Sequence, residues 1–376
     1  MTHSEVLSDD AKLLRTGYTT GSSAVAAAKA ALTTLLTEKE SQIEEIAITL
    51  PNGSKLQIPI EAIFKSDTAS ITAVVIKDAG DDADVTHGLE ICAKVTLNHT
   101  GKISIGGGVG VGKVTKPGLQ IPVGAYAINP VPLKMIEDNL KPLLSDEMGV
   151  DVVIEVPHGE AAAAKTFNPR LGVIGGISII GTSGIVRPMS EEAFKDTIYT
   201  EMKQKKALGV KTLVLVPGLH GEKFATENIN LADLNLVKTE QVVHMGNYVG
   251  FALQAADKLD FQNIVLIGHT GKLIKLAGGI FNTHSKVADA KAEIVVSELA
   301  LLGAPLNILQ DISLANTTDE MSNYLYNTPY LEVFQILAEK ARKRCLQFIF
   351  EGIDIEVILY DMSSRLLGDS RRRQEK

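Results

Sequence analysis

The sequence predicts a combination of α/β and α+β architecture. A mixed N-terminal domain with antiparallel strands precedes a C-terminal domain with a mainly parallel sheet and flanking helices. Three observations carry this prediction. The chain has 376 residues, more than one core ordinarily organises. Its first half holds alternating apolar runs joined by tight polar turns, the pattern of antiparallel pairing. Its second half repeats a short apolar run, a glycine loop and a helical stretch, the pattern of a parallel sheet with crossover helices. The boundary is placed near Asn168-Pro169, giving domains 1–168 and 169–376.

In chain order, residues 22–36 are Ala-rich and free of Gly and Pro after the opening turn, which favours a helix. Residues 43–50 and 55–60 flank Pro51-Asn52-Gly53-Ser54, and Asn-Gly between apolar runs is a strong hairpin signal. Residues 69–77 and 89–97 are further strand candidates around an acidic loop, and residues 130–144 read as a helix with Pro132 in its first turn. In the second half the expected strands are 177–180, 212–216, 263–267 and 353–359. The expected helices there are 190–208, 248–259, 288–302 and 328–348.

Composition removes several function classes. Net charge is −8, so the surface on average repels nucleic acid. Arg371-Arg372-Arg373 reads as a solvated end. Two cysteines, Cys92 and Cys345, exclude a disulfide framework and a cysteine-rich zinc site. Trp is absent, so Val, Ile, Leu and Ala must build the cores. Residues 1–12 are polar and unlike a signal peptide, and no apolar run reaches the length of about 18 that spans a bilayer. The expectation is a cytoplasmic protein without a membrane or nucleic-acid partner, and a homo-oligomer stays open.

Several segments can carry chemistry. Arg15–Ser23 is rich in Gly, Ser and Thr and runs into the Ala-rich helix. Arg15, Thr19, Thr20 and Ser22 there form either a cradle for a ligand carboxylate or an ordinary helix cap. Asp78–Gly88 gathers Asp78, Asp81, Asp82, Asp84 and His87. Ligand contact, with one Asp as base, is favoured over a metal site because calcium-loop spacing is missing; an Asx-rich turn is the plain alternative. Gly106–Gly118 nearly matches a phosphate loop, but Val114 stands where Ser or Thr would hold magnesium. That leaves a nucleotide-dependent phosphotransferase as the weaker reading. The stronger reading has glycines letting a flat ligand approach beside Lys113 and Lys116, with a glycine-rich hairpin as the plain alternative.

Gly181-Thr182-Ser183-Gly184, Pro217-Gly218 and Gly268-His269-Thr270-Gly271-Lys272 are each placed at the carboxyl end of a strand, where open α/β sheets bind ligands. Gly246-Asn247-Tyr248 precedes a helix and is grouped with them. Lys272, Lys275, Asn282, His284 and Ser285 add polar groups beside an apolar run.

Six ordered blocks then resemble a known family. They read RTGYTTGSS, GDDADVTHGLE, TKPGLQIPVGAYAINPVP, NPRLGVIGGISIIGTSGIVRPMSEE, GNYVGF and GHTGKLIKLAGGIFNTHS, spread from residue 15 to residue 285. They look like the signature blocks of the cobalt-precorrin-5B C1-methyltransferases, the CbiD family. The resemblance implies methyl transfer from S-adenosylmethionine to C1 of a corrinoid in the oxygen-independent branch of cobalamin synthesis. Cobalt enters only within the substrate, and no protein metal is expected. The implied fold differs from that of the tetrapyrrole methyltransferases acting at other ring carbons. The family often has Cys where this chain has Ser23, and commonly Pro where it has Ala83.

Such chemistry fits a chain without a catalytic triad, because a sulfonium methyl donor needs alignment more than a protein nucleophile. A polycarboxylate ring calls for local basic groups: Arg15, Lys113, Lys116, Arg170, Arg187 and Lys272, with the hydroxyls of Thr19, Thr20 and Ser22. The donor is assigned to Asp81, Asp82, Gly181, Thr182, Ser183, Gly184, Gly268, His269 and Gly271. Asp84, His87 and His284 stand unranked as candidate bases. A non-catalytic tetrapyrrole carrier is the remaining alternative.

Overall fold

The computed structural model describes residues 6–7, 13–37, 43–67, 69–230, 236–349 and 352–371. Arg372, Arg373 and most of the polar residues 1–12 therefore lie outside the described residues. The chain forms two compact units, Met1–Glu191 and Glu192–Lys376.

In the first unit, helix Thr20–Thr37 lies against the central strands of a five-stranded sheet. The strand order is Ala62–Lys65, Ser70–Ile76, Glu90–Asn98, Gly149–Glu155 and Ile103–Gly107. All neighbours are antiparallel except the last pair. Ala24, Ala26, Ala27, Ala28, Ala30 and Ala31 are fully buried, so the helix is enclosed almost all round. Its methyl side chains let backbone approach backbone, which explains why an Ala run sits in a core. Helix Pro130–Leu140 packs beside it. There the buried Asn139 side chain pairs with both backbone groups of Thr49, at 2.8 and 2.9 Å. The Asn-Gly hairpin forms as expected, Glu45–Thr49 against Lys55–Pro59, with Gly53 at φ 83°.

The second unit carries a sheet in the order Val242–His244, Thr212–Val216, Asn263–His269, Asp354–Tyr360 and Leu366–Asp369. The first four strands are parallel and the last is antiparallel. Side chains alternate between two cores. Leu213, Leu215, Ile264, Leu266, Ile355 and Val357 face one cluster, which includes helix Val333–Ile349. Val214, Val216, Val265, Ile267, Ile358 and Tyr360 face another, with Phe224 of helix Leu219–Asn228. Both faces are covered, as a parallel sheet requires.

Two sequence expectations change. The units divide after Glu191 rather than at Asn168-Pro169. The cause is strand pairing. Gly176–Ile177 pairs in parallel with Gly110–Val111, and Ile185–Val186 pairs with Gly17–Tyr18. Residues 177–180 are therefore no strand of the second sheet, and Gly181–Gly184 does not lie at that sheet's carboxyl edge. Strands Gly149–Glu155 and Leu366–Asp369 and helices Leu219–Asn228, Leu306–Leu314 and Thr318–Leu325 were not anticipated.

Two glycines in left-handed backbone give a contrast. A Cβ on Gly110 (φ 71°) would lie 1.8 Å from the Val156 carbonyl oxygen, whereas one on Gly53 would meet nothing. Gly53→Ala is expected to cost about 1 kcal/mol from backbone strain alone. Gly110→Ala should cost clearly more, read as the larger fall in denaturation midpoint.

Candidate functional site

The start of helix Thr20–Thr37 is closed by protein. Gly21 N–H donates to Ile180 O at 2.9 Å, and Ser22 N–H to Thr19 Oγ1 at 3.1 Å. The Thr20 hydroxyl donates toward Ser178 O and Ile180 O and accepts from Ile180 N–H at 2.9 Å. Ser22 Oγ donates to Gly184 O at 2.7 Å. A Cβ on Gly181 would stand 2.2 Å from Thr19 Oγ1. Thr19, Thr20 and Ser22 are thus brought against Gly181–Gly184, and their polar groups hold that loop to the helix. Thr182 and Ser183 stay exposed at its tip.

The acidic loop docks on the same strand. Thr16 bridges to Gly80, and Tyr18 N–H donates to Asp78 O at 2.8 Å. The Arg15 guanidinium grips both Asp78 oxygens, Nη2 to Oδ1 at 2.9 Å, and holds that carboxyl below the usual carboxylate range. Arg15 N–H donates to Asp81 at 2.7 Å, and Met189 N–H to Asp82 at 3.0 Å. Asp84 is built in more deeply. It accepts from the buried Lys77 ammonium at 2.6 Å and from Thr86 N–H and Oγ1 at 2.7 and 2.6 Å. Burial would raise its pKa, but Lys77 and the Thr86 donors outweigh that and hold the carboxyl below its usual range. Both oxygens are engaged, so Asp84 serves the loop's architecture. Among the described residues, no His, Cys, Asp and Glu cluster could hold a metal ion.

The glycine run does not form a phosphate loop. It builds strands Ile103–Gly107, Gly110–Val111 and Lys113–Val114, with no helix after the lysine. Its glycines make room for protein. Gly107 faces the Tyr126 ring, Gly108 faces Glu155, and Gly110 meets Val156 O. Lys113 lies over the Tyr126 ring at 4.7 Å, and Lys116 lies along Gly172. Arg170 is half-buried, and Arg187 is exposed without an ion pair among the described residues.

In the second unit, chain order and spatial order define a switch point. From Thr212–Val216 the chain moves to Val242–His244 on one side, then returns to Asn263–His269 on the other. The switch point therefore lies between Pro217–Gly221 and the Gly268–Lys272 loop, outside the carboxyl ends. A Cβ on Gly268 would meet Leu273 at 2.8 Å and Pro217 at 3.2 Å. His269 is fixed: Nδ1 accepts from Gly271 N–H at 3.0 Å, and Nε2 pairs with Asp319 at 2.8 Å. Lys272 reaches Asn247 Oδ1 at 3.0 Å, and burial lowers its pKa. The buried Lys275 ties the carbonyls of Thr283 and Ala288 at 3.1 and 2.7 Å.

Sequence reasoning missed one pair at this edge. His244, the last residue of its strand, meets Glu222 at 2.6 Å through Nε2. The two side chains are 11% and 13% exposed. Neither residue sits in a glycine block, so only the folded topology brings them to notice. Tyr360 ends strand Asp354–Tyr360, three places along the sheet, stacked on Phe224 at 4.0 Å, with its hydroxyl pushed up to about 12 by burial.

The candidate bases share a constraint. Nδ1 of His87 accepts from Ala79 N–H at 3.1 Å, and Nδ1 of His284 accepts from Lys286 N–H at 3.1 Å. A nitrogen accepting an N–H carries no proton, so each neutral ring bears its proton on Nε2. Both rings thus carry a free-facing Nε2–H donor, whereas that of His269 is spent on Asp319.

The chain is a mixed α/β protein whose second unit is built on an open, mainly parallel sheet covered on both faces. Comparison with known proteins then identifies the family. The family model described as CbiD matches residues 7–188, and the one described as CbiD, C-terminal domain, matches residues 282–371. A protein of Alkaliphilus metalliredigens named cobalt-precorrin-5B C(1)-methyltransferase is 45% identical, covering 96% of this chain and 93% of its own. One of the same name from Tolumonas auensis is 44% identical, covering 96% and 94%. The chain belongs to the CbiD family. A solved structure titled as the cobalamin biosynthesis protein cbiD from Archaeoglobus fulgidus has 25% identity and a TM-score of 0.38, covering 73% of this chain and 83% of its own.

Asp84 generates a pH prediction. Its folded pKa lies below the ordinary 3.8, so its contribution is present above that value and lost as pH falls through the folded one. Asp84→Asn leaves Lys77 buried without its counter-charge and is expected to cost about 3 kcal/mol at pH 7. In denaturant titrations, the gap between wild type and variant should narrow below about pH 4.

Proposed function

We propose that the chain transfers a methyl group from S-adenosylmethionine to C1 of cobalt-precorrin-5B, giving cobalt-precorrin-6A in anaerobic cobalamin synthesis. The observation that carries this reading is near-full-length similarity, at 45% identity over 96% of the chain, to a protein named for that reaction. The reading assigns a cytoplasmic site of action. Among the described residues, no helix is long and apolar enough to cross a membrane.

The residues support division of labour. Arg187 is exposed and free of carboxylate partners among the described residues, and a guanidinium is the better fork for a ring carboxylate. Lys113 and Lys116 add charge in a sequence-distant segment of the same unit. Arg15 is already paired with Asp78, so it orders the acidic loop and adds less to ring affinity. His87 and His284 offer Nε2–H as hydrogen-bond donors to ring carboxylates. When bound, S-adenosylmethionine would supply a methyl group on a sulfonium leaving group, and the site residues would serve chiefly to align it with the ring carbon.

Incubation with S-adenosylmethionine and the corrinoid should add the mass of one methyl group, mapped to C1 by isotope labelling. Ring binding without mass gain would favour a carrier. Magnesium-dependent ATP binding lost in Lys113→Ala would favour a phosphotransferase. Arg187→Ala should raise the KM for the corrinoid about tenfold, the loss of one charged hydrogen bond, and leave that for the methyl donor unchanged.

A further inference from the structure

We propose that the Glu222–His244 pair is the ribose-recognition element for an adenosyl ligand held at the switch point of the C-terminal sheet. This rests on the reading that S-adenosylmethionine is the methyl donor.

The topology supplies the first argument. In open parallel sheets a nucleoside lies outside the carboxyl ends at the switch point, and an acid near the end of the neighbouring strand takes the ribose hydroxyls. Here the neighbouring strand is Val242–His244. His244 is its final residue, and Glu222 reaches that point from the first turn of helix Leu219–Asn228.

The glycines supply the second. A Cβ on Gly221 would lie 2.9 Å from the Val216 Cβ and 3.5 Å from Ile267 O. Gly221 thus lets the helix seat closely on both strands that flank the switch point, as the packing glycine of a nucleoside-binding turn does. Gly268 does the same on the opposite side, against Pro217.

The hydrogen bonding supplies the third. In His87, His269 and His284, Nδ1 is occupied by a backbone N–H. His244 differs: its described hydrogen bond is the Nε2 contact to Glu222. With the proton on Nε2 facing a carboxylate, Nδ1 is left as an acceptor. Hydroxyls are donors, and a carboxylate beside an accepting imidazole suits two adjacent ones. The pair is mostly but not fully covered, which strengthens such bonds while leaving access.

The test is calorimetric titration of the full chain with S-adenosylhomocysteine and its 2′,3′-dideoxy analogue. Wild type should bind the first at least about tenfold more tightly than the second. In Glu222→Gln and His244→Gln, affinity for S-adenosylhomocysteine should fall about tenfold or more and the preference over the analogue should collapse. Corrinoid binding should be unchanged. Two variants are used so that failure of one to fold leaves the other informative, with circular dichroism and thermal melting as the check. Folded variants that keep the wild-type ratio overturn the inference and leave the donor reading intact. A wild-type chain that binds no S-adenosylhomocysteine overturns both.

Discussion

The N-terminal unit depends on the contact between the start of helix Thr20–Thr37 and the Ser178–Gly184 segment. A helix enclosed on nearly every side cannot leave its first N–H groups to water, so they must be satisfied from within the protein. Gly21 N–H finds Ile180 O and Ser22 N–H finds Thr19 Oγ1, while the Thr20 and Ser22 hydroxyls fasten the Ser178–Gly184 backbone from about 160 residues away. That contact brings Ile185–Val186 beside Gly17–Tyr18, whose backbone carries Asp78 and the acidic loop. Asp82 closes the circuit on Met189. Four of the quoted sequence blocks therefore share, or flank, one network. Their unusual content of Gly, Ser and Thr reflects close backbone packing.

The C-terminal unit solves a different problem. Both faces of its sheet are covered, so polar groups collect where strands end. His244, His269 and Tyr360 terminate three adjoining or nearby strands at one edge. Lys272 and Lys275 then fasten the following loop through Asn247 and the carbonyls of Thr283 and Ala288. The glycine block Gly268–Ser285 is thus a strand end, a short helix and a clamped return.

Much of this was legible in the sequence. The Ala-rich helix, the Asn-Gly hairpin and the strands over 212–216, 263–267 and 353–359 follow from local pattern, and all form. The boundary near Asn168 was misplaced because Ile177–Ile180 resembles a buried strand. Its partner, Gly110–Val111, is two residues long and hidden in a glycine run. Strand Gly149–Glu155 was missed, although buried Val150, Val152 and Ile154 alternate with Asp151, Val153 and Glu155. The candidate bases were chosen by residue type, and only coordinates reveal that Asp84 is enclosed by donors. Glu222 and His244 lie 22 residues apart with no motif between them, so their pairing is a product of topology.

The imidazole orientation has a bearing on cobalt. To ligate a metal through Nε2, a neutral ring must move its proton to Nδ1. In His87, His269 and His284 that would break the bond from Ala79, Gly271 or Lys286. These rings are therefore poor axial ligands for a cobalt-bearing macrocycle. In the proposed reading, a corrinoid beside His87 or His284 would meet an Nε2–H donor at its periphery and no ligand bond to cobalt from these rings.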